Sequence, residues 1–210
     1  MAELLQFSLI AFTSIFVLVD PFAAIPTFLA MTGDSTQMRR RHMARRAAGT
    51  CLIVLVVFGI AGSFIFNLFG ITLPAFKIAG GIILGLIGLD MVQARRSPTK
   101  ETPGDTEEGL DKEDVGIIPL GIPMLAGPGS ISTVMVLVSQ APDWRHGAVI
   151  FSAIAFTSAI SYIILAAADR VRSFLGETGI RILTRLMGLL LTAIAVQFVL
   201  NGFKDIGVLR

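Results

Sequence analysis

Two short stretches carry residues that an apolar helix rarely contains. They are Val19-Asp20-Pro21-Phe22-Ala23-Ala24-Ile25-Pro26 and Leu125-Ala126-Gly127-Pro128-Gly129-Ser130, and each lies within a long, mostly uncharged run. A carboxylate in hydrocarbon costs roughly 3 kcal/mol or more, so an acid there is normally tied to a task. Proline removes a backbone donor and crowds the preceding turn, so both runs must kink or break. Asp20-Pro21 has the chemistry of a helix start, with Asp as cap and Pro at the first helical position, and Gly127-Pro128 repeats it with a glycine cap. This predicts second half-helices over Pro21–Met31 and Pro128–Val138. Their N-termini would present unpaired N–H groups and the positive end of a dipole, which suit an anionic group such as a carboxylate. Asp20 would hold an ammonium group, a sodium ion or an exchangeable proton, and a small zwitterion would satisfy both halves. The simpler alternative is that Asp20 is a cap and nothing more. Gly127 and Gly129 around Pro128 free backbone groups of the kind tolerated where backbone lines a cavity. Ser130, Ser132 and Thr133 follow, either as hydroxyl contacts or bonded back to their own helix.

The elements that must position these groups follow from composition. Of 210 residues, 54% are hydrophobic and 15% charged, and the mean hydropathy is +0.79. Such a chain has too much apolar surface for one soluble core and suits a bundle displayed to lipid. Crossing roughly 30 Å of hydrocarbon takes about 20 helical residues. The runs that qualify are Leu4–Gly33, Ala47–Leu68, Ile71–Val92, Val115–Pro142, Gly147–Ala168 and the slightly shorter Leu186–Phe203. The first follows the acidic Met1-Ala2-Glu3 and resumes after Pro21, so it reads as a retained span and not as a cleaved leader. Residues 94–114, rich in Pro, Gly, Thr, Asp and Glu, form a polar linker between a first unit, 1–93, and a second, 115–210.

Orientation follows from the basic residues. Arg39, Arg40, Arg41, Arg45 and Arg46 follow span one, and Arg95, Arg96, Lys100 and Lys112 lie in the linker. Arg170, Arg172, Arg181 and Arg185 follow span five, whereas Lys77, Arg145, Lys204 and Arg210 belong to the other side. Threading six spans puts both termini outside and the linker in the cytoplasm, in a cytoplasmic (inner) membrane. The halves also echo one another. A shift of about 107 positions lays Leu18 on Leu125 and Pro21 on Pro128, and one position more lays Lys77-Ile78-Ala79-Gly80 on Arg185-Leu186-Met187-Gly188. Three spans per half invert the second copy relative to the first. The expected fold class is therefore an all-α membrane protein of six transmembrane helices, in two inverted three-helix repeats whose first helices are broken, as in many secondary transporters.

Other polar residues carry less. Gly80, Gly81, Gly85 and Gly88 have the near-helical spacing of a close helix contact. Lys77 and Arg185 lie about a turn inside their spans, within snorkelling reach of the interface. Asp90, Asn67, Gln197 and Asn201 fall toward span ends, and His42 and His146 read as loop residues. Cys51 is the one cysteine and sits in an apolar run, as a small packed residue. No Ser/His dyad, paired intramembrane acids, phosphate loop or zinc spacing occurs, so no catalytic residue, metal site or cofactor is expected, and the protein is not read as an enzyme. The net charge of +2, without a basic aromatic patch, argues against a nucleic-acid partner. The expected partners are the lipid bilayer and a small-molecule substrate, with homo-oligomer formation left open.

Phe16-Val17-Leu18-Val19-Asp20-Pro21 running into Ile25-Pro26, and Pro119-Leu120-Gly121-Ile122-Pro123-Met124-Leu125-Ala126-Gly127-Pro128-Gly129, resemble the two hallmark segments of the MarC family of integral membrane proteins. Ala79-Gly80-Gly81 and Arg185-Leu186-Met187-Gly188-Leu189 fit the same family, and the resemblance covers essentially the whole chain. The family was named for a multiple-antibiotic-resistance locus, and some relatives are described as small neutral amino acid transporters. The resemblance thus implies transport. It also draws Ala23 and Ala24 into the site, because the first hallmark usually reads Asp-Pro-x-Gly-Asn-x-Pro. With alanines there, an amide ligand contact is lost and substrate identity does not carry over. The expected substrate-binding set is Asp20, Pro21, Ala23, Ala24, Gly127, Pro128, Gly129, Ser130 and Thr133, with H+ or Na+ coupling at Asp20. The competing functions are export of another small metabolite, or a non-transporting membrane scaffold or regulator. A channel is disfavoured by the lack of a charged ring or filter repeat.

Overall fold

A computed structural model describes residues 2–32, 35–93, 116–118 and 120–208. The linker 94–114, together with Val115 and Pro119, lies outside them. The described chain is helical throughout its regular structure. In order it comprises α1 (Ala2–Val19), α2 (Ile25–Thr32), α3 (Gln37–Phe69), α4 (Leu73–Val92), the π-helical turn α5 (Leu120–Leu125), α6 (Pro128–Ser139), α7 (Trp144–Ala166) and α8 (Ala168–Asp205). Four stretches are long and apolar enough to cross a membrane: Gln37–Gly62, Leu73–Val92, Trp144–Ala166 and Thr178–Asp205. Two shorter apolar helices, α1 and α6, adjoin the two breaks.

Helix α3 begins ten residues before its apolar run. Thr36 caps it, its hydroxyl accepting the Arg39 N–H at 3.3 Å. Met43, Ala47, Cys51 and Leu55 then fall on one buried face, while Arg39, Arg41, Arg45 and Arg46 stay exposed. The arginine segment expected as a loop is therefore the first part of a helix, and His42 lies in it. His146 is likewise helical, in the first turn of α7. The basic segment after α7 is also largely helical. It is divided at Gly176, whose φ of +64° is a left-handed value that glycine adopts without a Cβ clash.

Helices α4 and α8 form the most extensive helix pair, and α3 and α7 the next. The glycine row of α4 permits the first. A Cβ on Gly81 would lie 2.7 Å from the Ala195 carbonyl oxygen of α8, so the two backbones are in direct contact there. One buried cluster joins α1, α2, α3, α5, α6, α7 and the first part of α8, and a second joins Leu18 to Leu84, Ile87, Met91, Met187, Leu191 and Ala195. Lys77 departs from the snorkelling expectation. It is buried, and its Nζ meets Asp205 Oδ2 of α8 at 2.5 Å, because α8 brings a carboxylate within reach on the way to solvent. Arg185 is exposed, as a snorkelling residue would be.

Candidate functional site

At the first break the residue before a proline cannot easily remain helical, and Pro21 has no N–H to continue the ladder. Helix α1 therefore stops at Val19. The Asp20 N–H still donates to the Phe16 carbonyl at 3.0 Å, but the residue turns into the left-handed region at φ +46°. Asp is among the few residues that tolerate this conformation, since its short side chain can hydrogen-bond locally. Here its Oδ1 accepts the Ala23 N–H at 3.3 Å. The chain resumes helical form only at Ile25, with Pro26 in the first turn of α2. The predicted half-helix starting at Pro21 is therefore corrected. Residues 20–24 are a turn, and Asp20 closes α1 instead of opening the next helix.

The second break opens as its residues suggest. Gly127 is extended at φ −86°, ψ 173°, Pro128 occupies the first turn of α6, and the helix runs to Ser139. Before it, wide i→i−5 hydrogen bonds run from Ile122 N–H to the Ile117 carbonyl and from Ala126 N–H to the Gly121 carbonyl, both 2.9 Å. Ile122 between them is extended at φ −132°, ψ 127°, so α5 is a kinked pair of wide turns and not a continuous helix. The Ser130 hydroxyl lies within hydrogen-bond distance of two carbonyls released by the break, Leu125 at 3.1 Å and Gly127 at 3.0 Å. Ser132 donates to the Gly129 carbonyl at 2.9 Å. Both serines thus bond back to their own segment.

The fold brings the two breaks together. Val19, Ala24 and Ile25 of the first share a buried cluster with Leu125 and Ala126 of the second. A Cβ on Gly129 would lie 2.4 Å from Leu84 Cδ2 and 3.8 Å from Leu18 Cδ2, so a side chain there would have to displace the end of Leu84. Asp20, Pro21, Ala24, Gly127, Gly129, Ser130 and Thr133 are buried, and Ala23 and Pro128 are half-buried. Asp20 has no solvent exposure at all.

A cavity of about 290 Å³ lies beside this core, between α1, α4, α6 and α8. Of the predicted residues, Thr133 alone lines it. Its buried hydroxyl has no hydrogen-bond partner among the described residues. The other polar lining is Ser14, Lys77, Gln140, Gln197 and Asn201, with Gln140, Gln197 and Asn201 exposed at the mouth. Helical rise puts Thr133 about 10 Å below Gln140 and about 6 Å from Gly129. The cavity therefore descends from one end of the bundle nearly to the second break. The sequence places Lys77 about a turn inside its span and Gln197 and Asn201 toward span ends, without bringing them together. The unused signal was the spacing of Gln197, Asn201 and Asp205, which puts all three on one helical face.

A family model described as "MarC family integral membrane protein" matches residues 5–207. The chain belongs to the MarC family. A UPF0056 membrane protein of Methanocaldococcus jannaschii is 41% identical over 200 residues, covering 95% of this chain and 97% of the relative. The UPF0056 membrane protein YvbG of Bacillus subtilis is 34% identical over 194 residues, with 92% of each chain covered. The UPF0056 membrane protein YhcE of Escherichia coli is 33% identical over 195 residues, covering 93% of this chain and 91% of the relative. No solved structure matches. Family membership together with the long apolar helices makes this MarC protein a multi-pass integral membrane protein in contact with the lipid bilayer.

Proposed function

We propose that the protein is a secondary transporter of small neutral amino acids or similar zwitterions. The observation that carries the reading is the cavity that enters from one end and reaches Thr133, beside two broken helices packed around a buried carboxylate. A transporter needs a site that one face can reach while the other is closed, and discontinuous helices supply it with free backbone groups. On this reading α1 with α2 and α5 with α6 are broken spans, which with the four long helices make six. The dominant pairings of α3 with α7 and of α4 with α8 are those expected of corresponding helices in two inverted three-helix repeats. Asp20 carries the coupling H+ or Na+, and Pro21, Ala23, Ala24, Gly127, Pro128, Gly129, Ser130 and Thr133 form the substrate path. Positive-inside counting puts both termini outside and the cavity on the outer side of a cytoplasmic membrane. The protein performs no covalent chemistry.

Uptake of labelled glycine and alanine into proteoliposomes tests this. Substrate-dependent flux that responds to an imposed proton or sodium gradient is expected, and no flux across an amino acid panel with folded protein would overturn it. Export of another small metabolite is a second reading, favoured by Ala23 and Ala24, which offer a ligand no polar side chain. Counterflow with a metabolite pool separates the two.

A further inference from the structure

The cavity holds charge chemistry that the two breaks do not require. Lys77 is 5% exposed, and its Nζ donates to Asp205 Oδ2 at 2.5 Å. An ammonium group has three donors, and the Asp205 contact commits one of them. Thr133, 1% exposed, belongs to the same lining, and its buried hydroxyl has no partner among the described residues. Gln140, Gln197 and Asn201 surround the mouth, and the Gln197 amide donates to Asn201 Oδ1 at 2.9 Å. Walls of Val136, Leu137, Ile194 and Phe198 complete a space of about 290 Å³, at the small end for ligand pockets. Buried donors without acceptors are costly, so the inner end of the cavity calls for a group rich in acceptor oxygens. Asp205 is not itself in the lining; it reaches Lys77 from the solvent side, with its side chain 38% exposed.

We infer that this cavity is a separate outer binding site for a small zwitterion. The ligand's carboxylate is held by Lys77 and Thr133, and its ammonium group faces Asp205. A charge pair that sums to zero accepts a ligand that also sums to zero. A simple carboxylate would have to displace Asp205 from Lys77 and leave that acid without its cation. A simple amine would gain Asp205 but leave Lys77 and Thr133 unsatisfied. The site begins about one turn of α6 above Gly129, so a molecule held there is staged before the broken helices and is not yet among them. This deepens the transport reading, and depends on it for the direction of passage but not for binding.

Equilibrium binding of radiolabelled glycine and alanine to purified full-length protein in detergent tests it, with acetate and ethylamine as competitors. Saturable binding is expected, weakened at least about tenfold by Lys77→Met and about fivefold by Thr133→Val, and little affected by either competitor. Lys77→Met keeps the length of the side chain, and Asp205 left behind can reach solvent. Should that variant fail to fold, Thr133→Val, which keeps the shape, decides alone. Binding unchanged in the folded variants, or acetate competing as well as glycine, would overturn the site even where flux is found. Lys77-dependent binding without flux would uphold the site while removing the transport reading, and no binding to folded wild-type protein would remove the site.

Discussion

Gly88 of α4 and Gly188 of α8 face one another so closely that a Cβ on either would lie 2.9 Å from the carbonyl oxygen of the other. The helices meet backbone to backbone, and nothing flexible can give way. Gly88→Ala or Gly188→Ala should destabilise the bundle by about 1–3 kcal/mol, the usual cost of overpacking. Gly49→Ala is the control, because a Cβ there meets nothing within 4 Å. Helix propensity makes it neutral or stabilising by up to about 1 kcal/mol. Thermal unfolding in detergent compares the three, and equal midpoints would contradict the close contact.

Asp20 does two separable things. As a cap it accepts the Ala23 N–H, and as an αL residue it supports φ +46°. Asn preserves both, whereas Ala preserves neither. Asp20→Asn should therefore leave stability within about 0.5 kcal/mol of wild type, and Asp20→Ala should lose about 1–2 kcal/mol. On the transport reading Asp20→Asn also uncouples flux from the ion gradient. Coupled flux in that variant would leave Asp20 a cap only.

Ser130 meets two buried carbonyls at the second break. Ser130→Ala strands them and should cost about 1–2 kcal/mol, whereas Ser139→Ala, at an exposed helix end, should cost less. Hydrogen exchange of α6 provides the check, with faster exchange near Gly129 expected for the first variant alone.

Asp143 caps α7, accepting the N–H groups of Arg145 and His146, both at 3.0 Å, and lies 2.7 Å from His146 Nδ1. The His146 side chain, followed by its backbone N–H, holds the Asp143 carboxyl below the ordinary carboxylate range. A lowered folded-state pKa contributes stability above the unfolded value, and that contribution disappears as pH falls through the lowered one. The α7 N-terminus should thus loosen in acid at a pH below the usual aspartate titration. Trp144, the chain's one tryptophan and exposed at 77%, reports it by fluorescence. Asp143→Asn should abolish the acid transition, and a transition that persists would assign it to another group.

Much of the architecture is legible in the residues. Apolar runs of fixed length required membrane helices, prolines required the breaks near Asp20 and Gly127, and the glycine row of α4 required a close neighbour. Less legible were the ends. Helix α3 starts at Gln37 because a capping threonine and good helix formers extend it beyond the membrane-length run, which hydropathy alone does not register. Pro21 did not open a helix, because Asp20 found a left-handed turn with its own hydrogen bond.

Local chemistry thus determined which segments form apolar helices and where they break, since backbone donors, proline rings and apolar area act within a few residues. Tertiary structure alone decided which polar groups meet. Lys77 and Asp205 are 128 positions apart, and only the packing of α4 on α8 turns a buried cation into half of an ion pair. Thr133 became a cavity residue, while Ser130 and Ser132 of the same helix start bonded to their own backbone, because α1, α4 and α8 leave space on one side of α6. That space depends on the distance between helices, which no spacing along one chain specifies.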